Sequence, residues 1–155
     1  MGASNCVRCS ISAARSRSTR AARSRTTRGA NRVRRPASDR VAYARLDDPN
    51  ITLIGAFVDA VLAGVIGMQA CGEVALLRAL AVEPAYRDRG LAAALCERVF
   101  VLAGERDIYL LTESADAYFA RLGFEPIDRA TVPAAIRATA QFGALCPASA
   151  RVMRR

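Results

Sequence analysis

Residues 87–97 read RDRGLAAALCE: two arginines, one glycine, then an alanine-rich run. A strand, a short loop and a helix whose first turn contains Gly and Ala make a seat for a phosphate. The first amides of a helix lack internal partners and carry the positive end of the helix dipole. An anion placed there gains hydrogen bonds and field together. Gly90 removes the Cβ that would hold a phosphate away from the backbone, and Ala92 and Ala93 keep the approach narrow. Arg87 and Arg89 add positive charge at the rim. Over so few residues, an ordinary strand-to-helix connection with a glycine reads the same way.

Few other side chains are equipped for chemistry. The chain has no His and no Trp, and all 23 basic residues are Arg. His-based triads and His-ligated metal sites are excluded, so any catalysis works without the side chain that titrates near neutrality. Glu73 and Glu113 each fall at the edge of an expected strand, where a carboxylate can reach an amine or a water; the alternative for each is a solvated surface acid. Arg78 stands inside the apolar run VALLRALAV, residues 74–82. It either binds a substrate carboxylate or reaches solvent along one face of a sheet.

The five cysteines are Cys6, Cys9, Cys71, Cys96 and Cys146. An odd count with no secretory signal points to reduced thiols and a cytoplasmic setting. Cys6 and Cys9 have the C-x-x-C spacing of redox and zinc sites but lack a second pair, so no metal is expected. Cys146 reads as a small buried hydrophobe.

The elements that must position these residues begin after a basic stretch. The net charge is +9, but it is unevenly placed. Residues 1–45 hold twelve Arg and one acid, a net +11, and residues 46–155 hold eleven Arg against thirteen acids, a net −2. Residues 1–46 therefore read as an Arg/Ser-rich disordered tail and residues 47–155 as the folded domain. The tail could bind nucleic acid through phosphates, serve as a transit peptide, or be a wrong start or frame. A tail without function or a wrong frame is favoured, and a nucleic-acid partner is not expected.

Residues 51–71 are long and apolar enough to suggest a membrane span, but Asp59 falls near the middle and costs about 2.5–3.5 kcal/mol there. Two strands joined by a turn at Asp59-Ala60 fit better, because Ile51, Leu53 and Phe57 share one parity before it and Val61, Ala63 and Val65 share one after it. No membrane association is expected. Residues 74–82 form a third strand, stopped by Glu83-Pro84. Leu91, Leu95, Val99 and Leu102 mark a helix stripe, ended by Gly104. Residues 108–111 form a short buried strand. Ser114 N-caps a second helix over residues 115–122, with Gly123 just past its end. Phe124 can begin a returning strand, and Pro133 opens a helix through Phe142 with Gly143 as its stop. The order β-β-β-α-β-α-(β)-α is a mixed α/β fold.

The run LRALAVEPAYRDRGLAAAL resembles the acetyl-CoA signature of the GNAT superfamily of N-acetyltransferases, V-x-P-x-x-[RQ]-x-x-G-x-[GA]. Val82, Pro84, Arg87, Gly90 and Ala92 are the matching residues. TESADAYFARLGF resembles the second motif, N-x-x-A-x-x-F-Y-x-x-x-G-F, through Ala115, Gly123 and Phe124. Within the superfamily, VPAAIRATAQFGALCPASA is similar to the N-acetyltransferases associated with arsenic-resistance operons. The resemblance covers about residue 50 to the end.

The resemblance implies the GNAT-like acyl-CoA N-acyltransferase fold and acetyl-CoA as co-substrate. It seats the pyrophosphate on the amides of Asp88, Arg89, Gly90, Leu91, Ala92 and Ala93. It pairs the pantetheine arm with the backbone of Leu80, Ala81 and Val82. The Leu80 amide polarises the thioester, and a small-molecule amine attacks directly. Thr112 aligns with the family's asparagine and Phe119 with its usual tyrosine, while Tyr118, displaced by one, is expected to face elsewhere and pack in the core. The leaving thiolate can then take its proton from water. Acetyltransferases of this fold begin with a strand and one or two helices that wall the acceptor site, and residues 1–45 show no trace of these. The alternatives are a non-catalytic remnant or an acceptor site completed in a homodimer.

Overall fold

Asp59 and Ala60 both take left-handed backbone angles, φ 49° and 63°, the geometry of a two-residue hairpin turn matched to strand twist. The turn joins β2 (Ile51–Val58) to β3 (Val61–Cys71), so the apolar stretch 51–71 folds as two antiparallel strands. No helix among the described residues is long and apolar enough to cross a membrane. The computed structural model describes the backbone of residues 40–45 and all of residues 48–155. Cys6, Cys9 and the basic stretch before Arg40 lie outside the described residues.

β1 (Arg40–Arg45) pairs antiparallel with β2 along its whole length, from Arg40 opposite Phe57 to Arg45 opposite Thr52. This corrects two expectations: the sheet begins inside the stretch assigned to the tail, and an N-terminal strand is present. Only residues 46–50 separate β1 from β2.

β4 (Val74–Val82) pairs antiparallel with β3 through a tight turn at Gly72 and Glu73. The helix α1 (Leu91–Ala103) follows, then β5 (Asp107–Thr112), α2 (Asp116–Ala120), β6 (Glu125–Ile127), α3 (Ala134–Arg137) and β7 (Arg151–Arg154). The seven strands form one sheet in the order β1-β2-β3-β4-β5-β7-β6, with β4 and β5 parallel and the other pairs antiparallel.

Apolar clusters cover both faces. On one face Ile54, Ile66, Leu77, Leu80 and Leu110 pack against Leu91, Leu95 and Val99 of α1 and Phe119 of α2. On the other, Leu76, Tyr109 and Leu111 pack against Val132, Ile136 and Cys146. Alternate residues of β4 and β5 thus enter opposite clusters, which explains their nearly unbroken apolar runs.

Several sequence expectations shift at element ends. In α1 the last buried residue is Ala103, while Leu102 is largely exposed. The N-cap of α2 is Ala115, not Ser114; Thr112 Oγ1 accepts the Ala115 amide at 3.0 Å instead. The helix opened by Pro133 ends after one turn. The chain then makes a wide turn in which the Cys146 amide donates to the Gln141 carbonyl at 3.0 Å, so Gly143 stops nothing. β7 is not legible in sequence: Val152 faces one cluster and Met153 the other, with Arg on either side.

Candidate active site at the opening between two strands

β4 and β5 are paired only over Val74–Leu76, opposite Asp107–Tyr109. Beyond Leu76 the strands part, and residues 77–82 of β4 keep a ladder partner only in β3. A bulge accompanies the parting. Between the pairs Gly67–Arg78 and Val65–Ala81, β3 has one residue and β4 has two, Ala79 and Leu80. Ala79 sits at φ 56°, a left-handed conformation that costs a non-glycine residue about 1–2 kcal/mol. Bulges bend a strand and disrupt its ladder, and they recur beside active sites. Leu80, Ala81 and Val82 therefore lie where a strand edge is open inside the sheet.

The loop after Val82 runs through a single 3₁₀ turn at Pro84–Tyr86. Asp88 and Gly90 both have positive φ, 60° and 78°, and Gly90 is the N-cap of α1. Asp tolerates this conformation better than most residues, and the Asp88 carboxylate is exposed. The Arg87 Nε donates to the Val82 carbonyl at 3.1 Å, tying the loop back to the strand end. The Arg89 guanidinium stacks over the Tyr86 ring at 5.3 Å. A recess of about 130 Å³ opens here, lined by Val82, by Tyr86, Arg87, Asp88 and Gly90 of the loop, and by the first turn of α1. A second hollow, about 300 Å³, adjoins it between residues 62–65 of β3 and 81–84, sharing Val82 and Arg87.

Tyr118 closes the recess. This corrects the expectation that it faces away. Its ring does pack on the core and meets Phe119 edge-on at 5.4 Å, but it also faces the Gly90 loop. Phe119, aligned with the family's tyrosine, is buried against Phe124 at 5.6 Å. Thr112 is buried, with its hydroxyl oxygen accepting the Ala115 amide.

The two candidate acids part company. Glu73 lies exposed in the turn before β4, seven residues from Leu80 and so about 23 Å away along the strand. It is at the wrong end of the sheet. Glu113 directly follows β5 and lies exposed in the bend before α2, at the end of the sheet where β4 and β5 part. Arg78 lies half-buried on β4 two residues before Leu80. Among the described cysteines, Cys96 is buried on the inner side of α1 while Cys146 is buried, and Cys71 packed, on the other face of the sheet, so the three thiols do not converge.

An acetyltransferase (GNAT) family profile matches residues 18–124. The chain belongs to the GNAT family. Its members are acyl-CoA-dependent N-acyltransferases, and the match begins inside the basic N-terminal stretch. No curated protein matches the chain. Among solved structures, a GNAT-family acetyltransferase from Staphylococcus aureus Mu50 is 23% identical, with 68% of this chain and 67% of that one covered and a TM-score of 0.56. N-acetylglutamate synthase from Neisseria gonorrhoeae, complexed with coenzyme A and N-acetyl-glutamate, is 17% identical over 74% of this chain and 28% of its own, TM-score 0.58. PaiA N-acetyltransferase from Thermoplasma acidophilum, in complex with coenzyme A, is 19% identical over 68% and 60%, TM-score 0.51. At these identities the likeness establishes the GNAT fold.

Proposed function

We propose that this chain transfers the acetyl group of acetyl-CoA to the amine of a small acceptor by direct attack. The observation that carries the reading is the open edge of β4 at Leu80–Val82 leading to the Gly90 loop at the start of α1. A pantetheine arm, with its two amides, has the hydrogen-bonding pattern of a short strand and fits an unpaired edge. A diphosphate fits the helix start beyond it. The residues present suit the co-substrate in shape and charge: a left-handed glycine at the N-cap, Arg87 and Arg89 flanking it, and an aromatic wall in Tyr118.

The Leu80 amide is the donor for the thioester carbonyl. Such a preorganised donor is worth about 2.7–4 kcal/mol in the transition state. Glu113 takes the proton of the attacking amine, directly or through one water. The departing thiolate draws its proton from water, a modest demand for a thiol near pKa 8.5. Asp88, Leu91, Ala92 and Ala93 serve through backbone amides or by leaving room, so their side chains need carry no chemistry.

A thermal-shift titration tests the reading: acetyl-CoA binding only the native state raises the melting temperature. Release of free CoA thiol with an amine present then separates an enzyme from a CoA-binding remnant. A protein that binds no acetyl-CoA would remove the proposal. A toxicant acceptor is the finer reading, supported by the likeness of residues 132–150 to the arsenic-resistance-associated subgroup; loss of a resistance phenotype on deletion is its test.

A further inference from the structure

We infer that the sheet face opposite α1 carries a carboxylate clamp, formed by Arg78 and held by Gln69 and Asp48, that selects acceptor amines bearing a carboxylate. The inference rests on the transferase reading above and names the class of acceptor.

The clamp begins with a glycine. Gly67 stands opposite Arg78 in the β3–β4 ladder, and a Cβ at Gly67 would lie 2.9 Å from Arg78 Cγ. Its absence lets the Arg78 stem lie flat across β3. The guanidinium then reaches Gln69, where Nη1 donates to Oε1 at 3.0 Å. Gln69 Nε2 donates in turn to Asp48 Oδ2 at 3.5 Å. Asp48 is itself fixed, since its other oxygen accepts the Asn50 amide at 2.9 Å. The amide of Gln69 is thus oriented by opposite charges at its two ends, oxygen to the arginine and nitrogen to the carboxylate.

This arrangement holds Arg78 through a neutral amide. Among the described residues no carboxylate lies within ion-pair distance of its guanidinium. Gln69 occupies one of five N–H donors, leaving a fork that matches a carboxylate in two-point geometry. A Glu at position 69 would have closed the site with an internal ion pair. Cys71, on the same side, leaves the charge intact as well: burial first, and Asp48 second, push its thiol up against the opposing pull of Arg78, so it stays protonated near neutrality. Arg78 is half-buried, which strengthens any pairing relative to bulk water.

Position ties the clamp to the reaction. Arg78 shares a face with Leu76 and precedes the bulge at Ala79 and Leu80. Leu80 turns its side chain to the α1 face and leaves its backbone at the opening. An acceptor gripped through its carboxylate at Arg78 presents its amine toward that opening. Gln69 and Asp48 are positioning residues, acting through Arg78.

The test compares amino acids with the corresponding decarboxylated amines as acceptors, reading CoA thiol release for the wild type, Arg78→Met, Arg78→Lys and Gln69→Leu. The wild type should prefer the carboxylate-bearing member of each pair. Arg78→Met should cut that preference about 10- to 100-fold, the loss of a charged hydrogen-bond pair, mainly through the KM of the acid. Arg78→Lys should restore part of it, and Gln69→Leu should fall between. Acetyl-CoA affinity, measured by calorimetry, reports whether each variant is folded. A wild type that acetylates the amines but no amino acid, or both members alike, overturns the clamp and leaves the transferase reading standing; one that binds acetyl-CoA but acetylates neither overturns both. Folded variants that keep the wild-type preference also overturn it. A wild type that fails to bind acetyl-CoA overturns the transferase reading and takes the clamp with it.

Discussion

The two halves of β4 are built from the same kinds of residue and do different work. Val74–Leu76 is paired on both sides, to β3 and to β5, and sends Leu76 into one cluster and Ala75 into the other. Residues 77–82 lose β5, gain a bulge and a left-handed alanine, and hold a cationic side chain. The first half converts apolar surface into stability. The second gives up ladder pairing and so leaves a strand edge open inside the sheet.

The comparison breaks most directly in the paired half. Leu76 is wholly buried, and Leu76→Ala should lower the unfolding free energy by about 2–5 kcal/mol, the range for deleting a core leucine. That is a large part of a typical domain's stability of about 5–15 kcal/mol. Urea titration measures it. The affinity of the molecules that remain folded for acetyl-CoA should be unaltered, because Leu76 faces away from the recess. Little destabilisation would mean that the paired half is not the anchor of the sheet.

At the open half the expected losses are in function. Glu113→Gln should reduce kcat/KM by about 100-fold or more, the lower end of what a positioned base contributes, with acetyl-CoA affinity unchanged. Glu73→Gln should stay within about twofold of the wild type, since the same carboxylate sits at the paired end. Equal effects from the two substitutions would erase the distinction between the ends. Gly90→Val should weaken acetyl-CoA binding about tenfold or more in calorimetry. A β-branched residue resists φ 78°, and its side chain would crowd the amides that face a phosphate. Unchanged affinity there would sever the helix start from the cofactor.

The same contrast governs what could be read in the sequence. The hairpin at Asp59-Ala60 was legible because a turn residue interrupts an apolar run, but its inner face was not: Ile54, Ala56, Ile66 and Met68, off the expected parity, enter the core, while Val61 is exposed. β4 was legible as a strand, but the point where β5 leaves it was not, because the apolar run is continuous across Leu76. The choice between Glu73 and Glu113 needed strand direction: only a parallel β4–β5 pair puts the ends of both strands at one opening. The two-sided position of Tyr118 is hidden in sequence because a five-residue helix lies at the junction of core and recess, so neighbouring positions meet both. β1 was hidden by the arginines that dominate residues 1–45, and β7 by having only two apolar residues to divide between two faces. Local chemistry survives in a single sequence; which strands stay together does not.

The smallest effect probes the strain itself. Ala79 adopts φ 56° in the bulge, and a glycine there escapes the clash between Cβ and carbonyl that costs about 1–2 kcal/mol. It also gives back part of the gain, because glycine loses about 0.5–1 kcal/mol more backbone entropy on folding than alanine. Ala79→Gly should therefore raise stability by about 0.5–1 kcal/mol in urea titration. If the bulge serves to fix the Leu80 amide, the same substitution should lower kcat slightly while acetyl-CoA affinity holds, since a freer Ala79 aims its neighbour less well. A destabilised variant would mean that the surrounding ladder, and not steric cost at Ala79, sets the bulge. A more stable variant with unchanged kcat would locate the strain in the fold alone, without a part in aiming the donor.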